Sequence, residues 1–157
     1  AYKLAWLSQN CNLPKLEIIG DGIEFKNIAN WIEHNNLSSN VILHGAINDA
    51  ELVAPIMSRA IGCISTGQAG LSVLTCFSFG VPFITTRNAI TGGEIFSIIN
   101  GVNGFYYDGT IHALRDIIIE LPGEKELLRR VSNNAYEFYQ RFRAPHIWVA
   151  AFREAIG

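Results

Sequence analysis

Ser65, Thr66, Gly67, Gln68 and Gly70 form a small polar break between the apolar run Ile61–Ile64 and the apolar stretch Leu71–Phe79. The order reads as strand, glycine loop, helix. A helix leaving such a loop turns unpaired backbone N–H groups outward, with the positive end of its dipole behind them. That arrangement suits an anion, most often phosphate. Three more glycine turns follow apolar runs: Gly20-Asp21-Gly22 after Lys15–Ile19, Gly45 after Val41–His44, and Thr91-Gly92-Gly93-Glu94 beyond Pro82–Thr86. If the runs are parallel strands, all four turns line one rim outside their carboxyl ends, where open α/β sheets bind ligands. Gly20, Gly22, Gly45, Gly67, Gly70, Leu71, Ser72 and Gly93 are then backbone candidates. Gln68 adds a loop-borne amide with no capping duty.

Other polar residues carry less. Asp21 can cap the following helix, and His44 reads as a strand-end residue with either a ligand or a structural partner. His34, His112 and His146 fall on helical stretches with no carboxylate or cysteine at metal-ligand spacing, so no metal site is expected. Cys11, Cys63 and Cys76 are an odd number without paired spacing, and two sit in apolar segments, as small buried residues of a reducing compartment do.

The elements that must position these groups alternate in type. Ala1–Leu7 reads as mid-helix, Asn10–Pro14 as a polar turn, and Lys15–Ile19 as a strand. Phe25, Ile28, Trp31 and Ile32 recur at spacings of three and four, predicting an amphipathic helix over Ile23–Asn35. Val41–His44 is a second strand, and a short helix capped by Asn48 or Asp49 runs to Met57 with Pro55 inside it. Ile61–Ile64 is the third strand. Leu71–Phe79 is apolar on nearly every side and predicts a helix buried all round; Gly80 and Pro82 end it. Pro82–Thr86 is a fourth strand, Glu94–Ile99 a short helix, Asn100–Gly104 a turn and Phe105–Asp108 a fifth strand. Thr110–Leu121, Gly123–Phe142 and Pro145–Ile156 are helices, with Thr110 as a cap and Pro145 in a first turn. Strands alternating with helices imply an α/β fold, a doubly wound, Rossmann-like parallel sheet with a helical tail.

The 157 residues form one domain by size, and 49% hydrophobic residues supply its core. A net charge of −2, with twelve scattered Lys and Arg, gives no basic field for nucleic acid. No run approaches a membrane span or a signal peptide. The chain opens without Met on a helical pattern, which reads as a fragment of a longer polypeptide.

In order and spacing these pieces resemble the carboxyl-terminal, nucleotide-binding domain of GT-B glycosyltransferases of the group 1 family. The resemblance rests on Ile18–Gly22, Val41–Gly45, Ser65–Gly70, Gly80-Val81-Pro82, Gly92-Gly93-Glu94 and Asn100–Gly104, and covers almost the whole chain. It implies a retaining transferase that binds a UDP- or GDP-sugar as substrate, without a cofactor or metal, and passes the sugar to a glycan or glycolipid acceptor. It also implies a cytoplasmic location, at the inner membrane face by peripheral association. Backbone N–H groups of Gly67, Gly70, Leu71 and Ser72 would hold the diphosphate, and Glu94 the donor sugar hydroxyls, unless Glu94 is simply a first-turn glutamate favoured by the dipole. The family's two glutamates, eight positions apart, are replaced by Gly67 and Thr75. Thr75 can offer the ribose one hydrogen bond but no charged bidentate contact. Gly67-Gln68-Ala69-Gly70-Leu71 resembles a loop variant of some members. An acceptor domain, a first strand and the catalytic residues are expected upstream of Ala1, leaving the isolated chain a weak nucleotide binder that transfers nothing. Two other readings stand beside this one: a nucleotide-sugar epimerase of the same architecture, and a degenerate domain kept for docking a partner.

Overall fold

The computed structural model describes residues 1–8 and 13–156. Most of the turn expected at Asn10–Pro14, and Cys11 with it, lies outside the described residues. The elements are α1 (Tyr2–Ser8), β1 (Leu16–Ile19), α2 (Phe25–His34), β2 (Val41–Gly45), α3 (Ala50–Met57), β3 (Cys63–Ile64), α4 (Ser72–Ser78), β4 (Phe83–Thr86), β5 (Gly104–Tyr107), α5 (Ile111–Glu120), α6 (Lys125–Phe142) and α7 (Pro145–Ile156). Every ladder is parallel. Among the described residues the ladders come in two pieces: β1 pairs with β2, and β3, β4 and β5 run side by side in that order.

Period-two alternation sorts the core. Cys63 and Phe83 face one side of the three-stranded ladder, where Val73, Cys76 and Phe77 of α4 and Ala135 of α6 close over them. Ile64, Ile84 and Tyr107 face the other side, against Leu114 of α5 and Leu121. Helices on both faces are what a parallel sheet requires. On the two-stranded ladder, Leu16, Ile18, Val41 and Leu43 pack with Ile32, Leu37, Tyr2 and Trp6. Ala1, just before α1, packs against the Ile84 cluster, and α1 itself lies against α5.

Several elements differ from their sequence patterns. The third strand shrinks from Ile61–Ile64 to two residues, since its ladder bonds run only from Pro82 to Ile84. Glu94–Ser97 is a 3-10 turn rather than a helix to Ile99, and a second such turn at Leu121–Gly123 delays α6 to Lys125. Asp21 does not cap α2, which begins beyond Glu24 without a side-chain cap; Asp49 does cap α3, accepting from the Glu51 N–H at 2.8 Å. α4 is not buried all round. Val73, Cys76 and Phe77 are buried, while Leu71 and Phe79 at its ends are 72% and 40% exposed. One side of this seven-residue helix satisfies the core, and the other stands at the rim.

Candidate functional site

The glycine loop is set down by its neighbours. Thr85 is fully buried on β4, and its hydroxyl donates to the Ser65 carbonyl at 2.7 Å, fixing where β3 ends. Within the loop, Ala69 is also fully buried and anchors it in the core. The flanking Gly67, Gln68, Leu71 and Ser72 are exposed. A parallel bridge pairs Gln68 with Ile90: the Ile90 N–H donates to Gly67 O at 3.0 Å, and the Ala69 N–H to Ile90 O at 2.8 Å. Among the described residues the backbone N–H groups of Gly70, Leu71 and Ser72 have no hydrogen-bond acceptor, while the Val73 N–H already turns back to Gly70 O. Three donors at a helix start, with no acceptor of their own, can receive an anion.

Gly67 and Gly70 avoid the left-handed region, and a Cβ at either would meet nothing within 4 Å. The open space there is outside the packed chain rather than a gap in it. Thr75, one turn into α4, is exposed and donates its hydroxyl back to Leu71 O at 3.3 Å.

The second loop folds against the first. Gly93, with φ of 126°, makes the turn that only glycine adopts readily, and Glu94 opens the 3-10 turn behind it. The Glu94 Oε2 accepts from the Gly92 N–H at 3.0 Å and leaves Oε1 without a partner among the described residues. Tyr106 Oη donates to Ile95 O at 2.9 Å, tying this turn to β5. The structure therefore brings Gly67, Gln68, Gly70, Leu71, Ser72, Gly93 and Glu94 to one rim segment.

Gly20 and Gly45 meet each other instead. The Gly20 N–H donates to Gly45 O at 2.7 Å at the carboxyl ends of β1 and β2, with φ of 141° and 70° respectively. Gly22 accepts from the Phe25 N–H at 2.8 Å and starts α2. No hydrogen bond joins these three to the Gly67–Ser72 loop among the described residues.

His44 takes a structural partner. Its Nε2 lies 2.7 Å from Glu17 Oε2, and Arg59 adds Nε and Nη2 to the same carboxylate at 2.9 and 2.7 Å. The Arg59 guanidinium, seconded by His44, holds the Glu17 carboxyl below its usual range. Cys63 and Cys76 lie side by side across β3 and α4; the neighbouring sulfur and burial push the Cys76 thiol up, so it stays protonated. Among the described residues no three His, Cys, Asp or Glu side chains group as a metal ion would need.

Sequence reasoning singled out neither Arg87 nor the Thr91 side chain at the rim. Arg87 follows β4, and its guanidinium carbon sits 4.6 Å from the centre of the Tyr106 ring. It lines a cavity of about 460 Å³ with Thr86, Asn88, Tyr106, Tyr107 and Asp108; nothing in the local sequence marks it. Thr91 was legible, since Thr91-x-x-Glu94 has the spacing of a capping box.

Comparison with known proteins bears on the family and the fold. The sequence model for glycosyl transferases group 1 matches residues 5–138. The chain is 33% identical over 137 residues to an N-acetyl-alpha-D-glucosaminyl L-malate synthase of Bacillus anthracis, covering 85% of this chain and 35% of that protein. It is 26% identical over 149 residues to a poly(glycerol-phosphate) alpha-glucosyltransferase of Bacillus subtilis, covering 90% of this chain and 21% of the relative. The chain thus spans about a third or less of these relatives. Among solved structures, a mutant of S. aureus TarM in complex with Fondaparinux, alpha-GlcNAc-glycerol and UDP superposes with a TM-score of 0.78 at 22% identity, over 97% of this chain and 30% of that one. The C-terminal domain of a Francisella tularensis glycosyl transferase group 1 family protein, LpcC, gives 0.71 at 17% identity, over 92% of this chain and 76% of that one. The fold is that of GT-B carboxyl-terminal domains. With the match running through nearly every element from α1 to α6, the chain belongs to the glycosyl transferases group 1 family.

Proposed function

We propose that this chain is the donor-binding half of a retaining glycosyltransferase that takes a UDP- or GDP-sugar and delivers the sugar to a glycan or glycolipid acceptor. The observation that carries the reading is the rim segment, where among the described residues the Gly70, Leu71 and Ser72 N–H groups have no acceptor, a Cβ on Gly67 or Gly70 would meet nothing within 4 Å, and Glu94 Oε1 in the adjoining turn has no partner. In this role the Gly70, Leu71 and Ser72 amides hold the diphosphate. They gain strength as negative charge develops on it when the sugar departs, because they are already aimed and need no reorganisation. Glu94 Oε1 accepts from a sugar hydroxyl, and Thr75, by turning from Leu71 O, reaches the ribose. Family membership supports the reaction class, and the UDP complexes of TarM and of Anabaena HepE support the nucleotide. Retention is supported by the alpha-glucosyltransferase relative, since an α-linked donor then yields an α-linked product. The reading assigns acceptor binding and the remaining catalytic groups to another domain of a longer polypeptide working at the cytoplasmic membrane face. Two parallel ladders that share no hydrogen bond among the described residues support a further strand from that polypeptide.

Isothermal titration of the chain with UDP, GDP and ADP tests the proposal. Saturable heat with UDP or GDP at millimolar concentration is expected. No heat with any of the three overturns donor binding and favours a docking domain, for which the missing family glutamates at Gly67 and Thr75 already speak.

A further inference from the structure

Thr91 is not a ligand candidate by position, yet its hydroxyl uses every hydrogen-bonding valence it has. Its one proton goes to Ala69 O at 2.6 Å. Its oxygen accepts from the Gly93 N–H at 3.0 Å and the Ile95 N–H at 3.2 Å, and Glu94 Oε2 stands 3.3 Å away as a longer, secondary contact. A hydroxyl offers one donor and two acceptor sites, so this one is saturated. Its partners belong to different segments. Ala69 is the buried anchor of the glycine loop, while Gly93 and Ile95 flank Glu94. Among the described residues it is the one side-chain hydrogen bond between these two segments.

We propose that Thr91 is a positioning residue that yokes the Gly67–Ser72 loop to the Gly92–Glu94 turn, so that the diphosphate side and the sugar side of the donor site hold a single geometry. The proposal rests on the donor-site reading above. A threonine serving only as a helix cap would satisfy N–H groups of its own turn and could point its proton at solvent. Here the proton reaches across to the other loop, and the adjacent backbone bridge at Ile90 gives the two loops three hydrogen bonds in all. A one-ångström displacement of a positioning contact is enough to cost a bound transition state much of its stabilisation, so a yoke between the two loops matters more than either local cap.

Amide hydrogen exchange and titration test this together. In the parent chain the Ala69, Ile90, Gly93 and Ile95 amides should share one opening and show matching protection; protection that differs by more than tenfold between the two loops overturns the yoke without any variant. Thr91→Val keeps the shape and removes the hydroxyl. It should speed exchange at least tenfold at the bonded amides of both loops, Ala69 and Ile90 on one side and Gly93 and Ile95 on the other, with β4 and α6 unchanged. It should also raise the Kd for UDP or GDP at least tenfold, while Thr91→Ser stays within about threefold of the parent. Faster exchange confined to 92–96, unchanged nucleotide affinity in Thr91→Val, or failure of Thr91→Ser to restore it overturns the proposal. A parent that binds no nucleotide sinks the donor reading alone, because the exchange comparison still decides whether the loops move as one.

Discussion

Gly70 stands just before α4 and Gly104 opens β5, and the space around them assigns them opposite duties. A Cβ on Gly70 would meet nothing within 4 Å and needs no left-handed backbone. Gly70→Ala should therefore keep stability or raise it by about 0.4–1 kcal/mol through the unfolded chain, yet weaken UDP or GDP binding at least tenfold by standing in the anion's place. Thermal melting and titration on the same sample check both halves. A Cβ on Gly104 would lie 2.6 Å from Phe83 O and 3.0 Å from Ile98 Cγ2, so Gly104→Ala should cost about 1–3 kcal/mol in urea denaturation. Glu17 gives a pH-dependent case. Its carboxyl is held low by Arg59 and His44, so its stabilisation is present above the unfolded carboxylate pKa and is lost as pH falls through the lower, folded value. Arg59 is half exposed, which limits the effect. Glu17→Gln should lower stability by about 1 kcal/mol at pH 7 and flatten the acid limb of the stability–pH curve.

At the scale of elements, α4 shows how far local pattern reaches. Its apolar run, its glycine start and its Gly80-Val81-Pro82 stop were all legible, and Gly80 does take φ of 67° beyond its end. Its orientation was missed, although Ser72, Thr75 and Ser78 recur every three residues and mark the side that faces away from the core. Phe77 decides it: fully buried, the ring sits 6.0 Å from Phe138 of α6 in an edge-to-face pair. Phe77→Ala should cost about 3–5 kcal/mol and, by releasing α4 from α6, loosen the Gly67–Ser72 loop as well, visible as faster amide exchange at Ala69, Val73 and Thr75 with β5 unchanged. The third strand and the turn at Glu94 were overextended in the sequence reading. Apolar character marks what is buried, whereas strand and helix limits follow from hydrogen-bond partners many residues away, here Pro82 and Ile84 for β3.

For the whole molecule, the alternation of strands and helices, the parallel sheet and the rim of glycine turns could be read in advance. Period-two and period-3.6 apolar patterns are local, and right-handed crossovers leave few ways to connect them. The division into two ladders could not be. It predicts unequal local stability: amides of β4, paired on both sides, should exchange more slowly than those of β1 and β2, which have one partner each. If β1 and β4 exchange alike, the two ladders open as one unit. The candidate site divides in the same way. Sequence alone determined which residues were polar, small or flexible enough to meet a ligand, because those are properties of the residue and its neighbours in the chain. Only the tertiary structure decided which of them stand together: it gathered Gly67–Ser72 with Gly93 and Glu94, paired Gly20 with Gly45, and gave His44 to Glu17. It also put Thr91 between the two loops, because Ala69 and Ile95, 26 positions apart in sequence, become neighbours only when β3 and β4 lie side by side and their loops turn over the same edge.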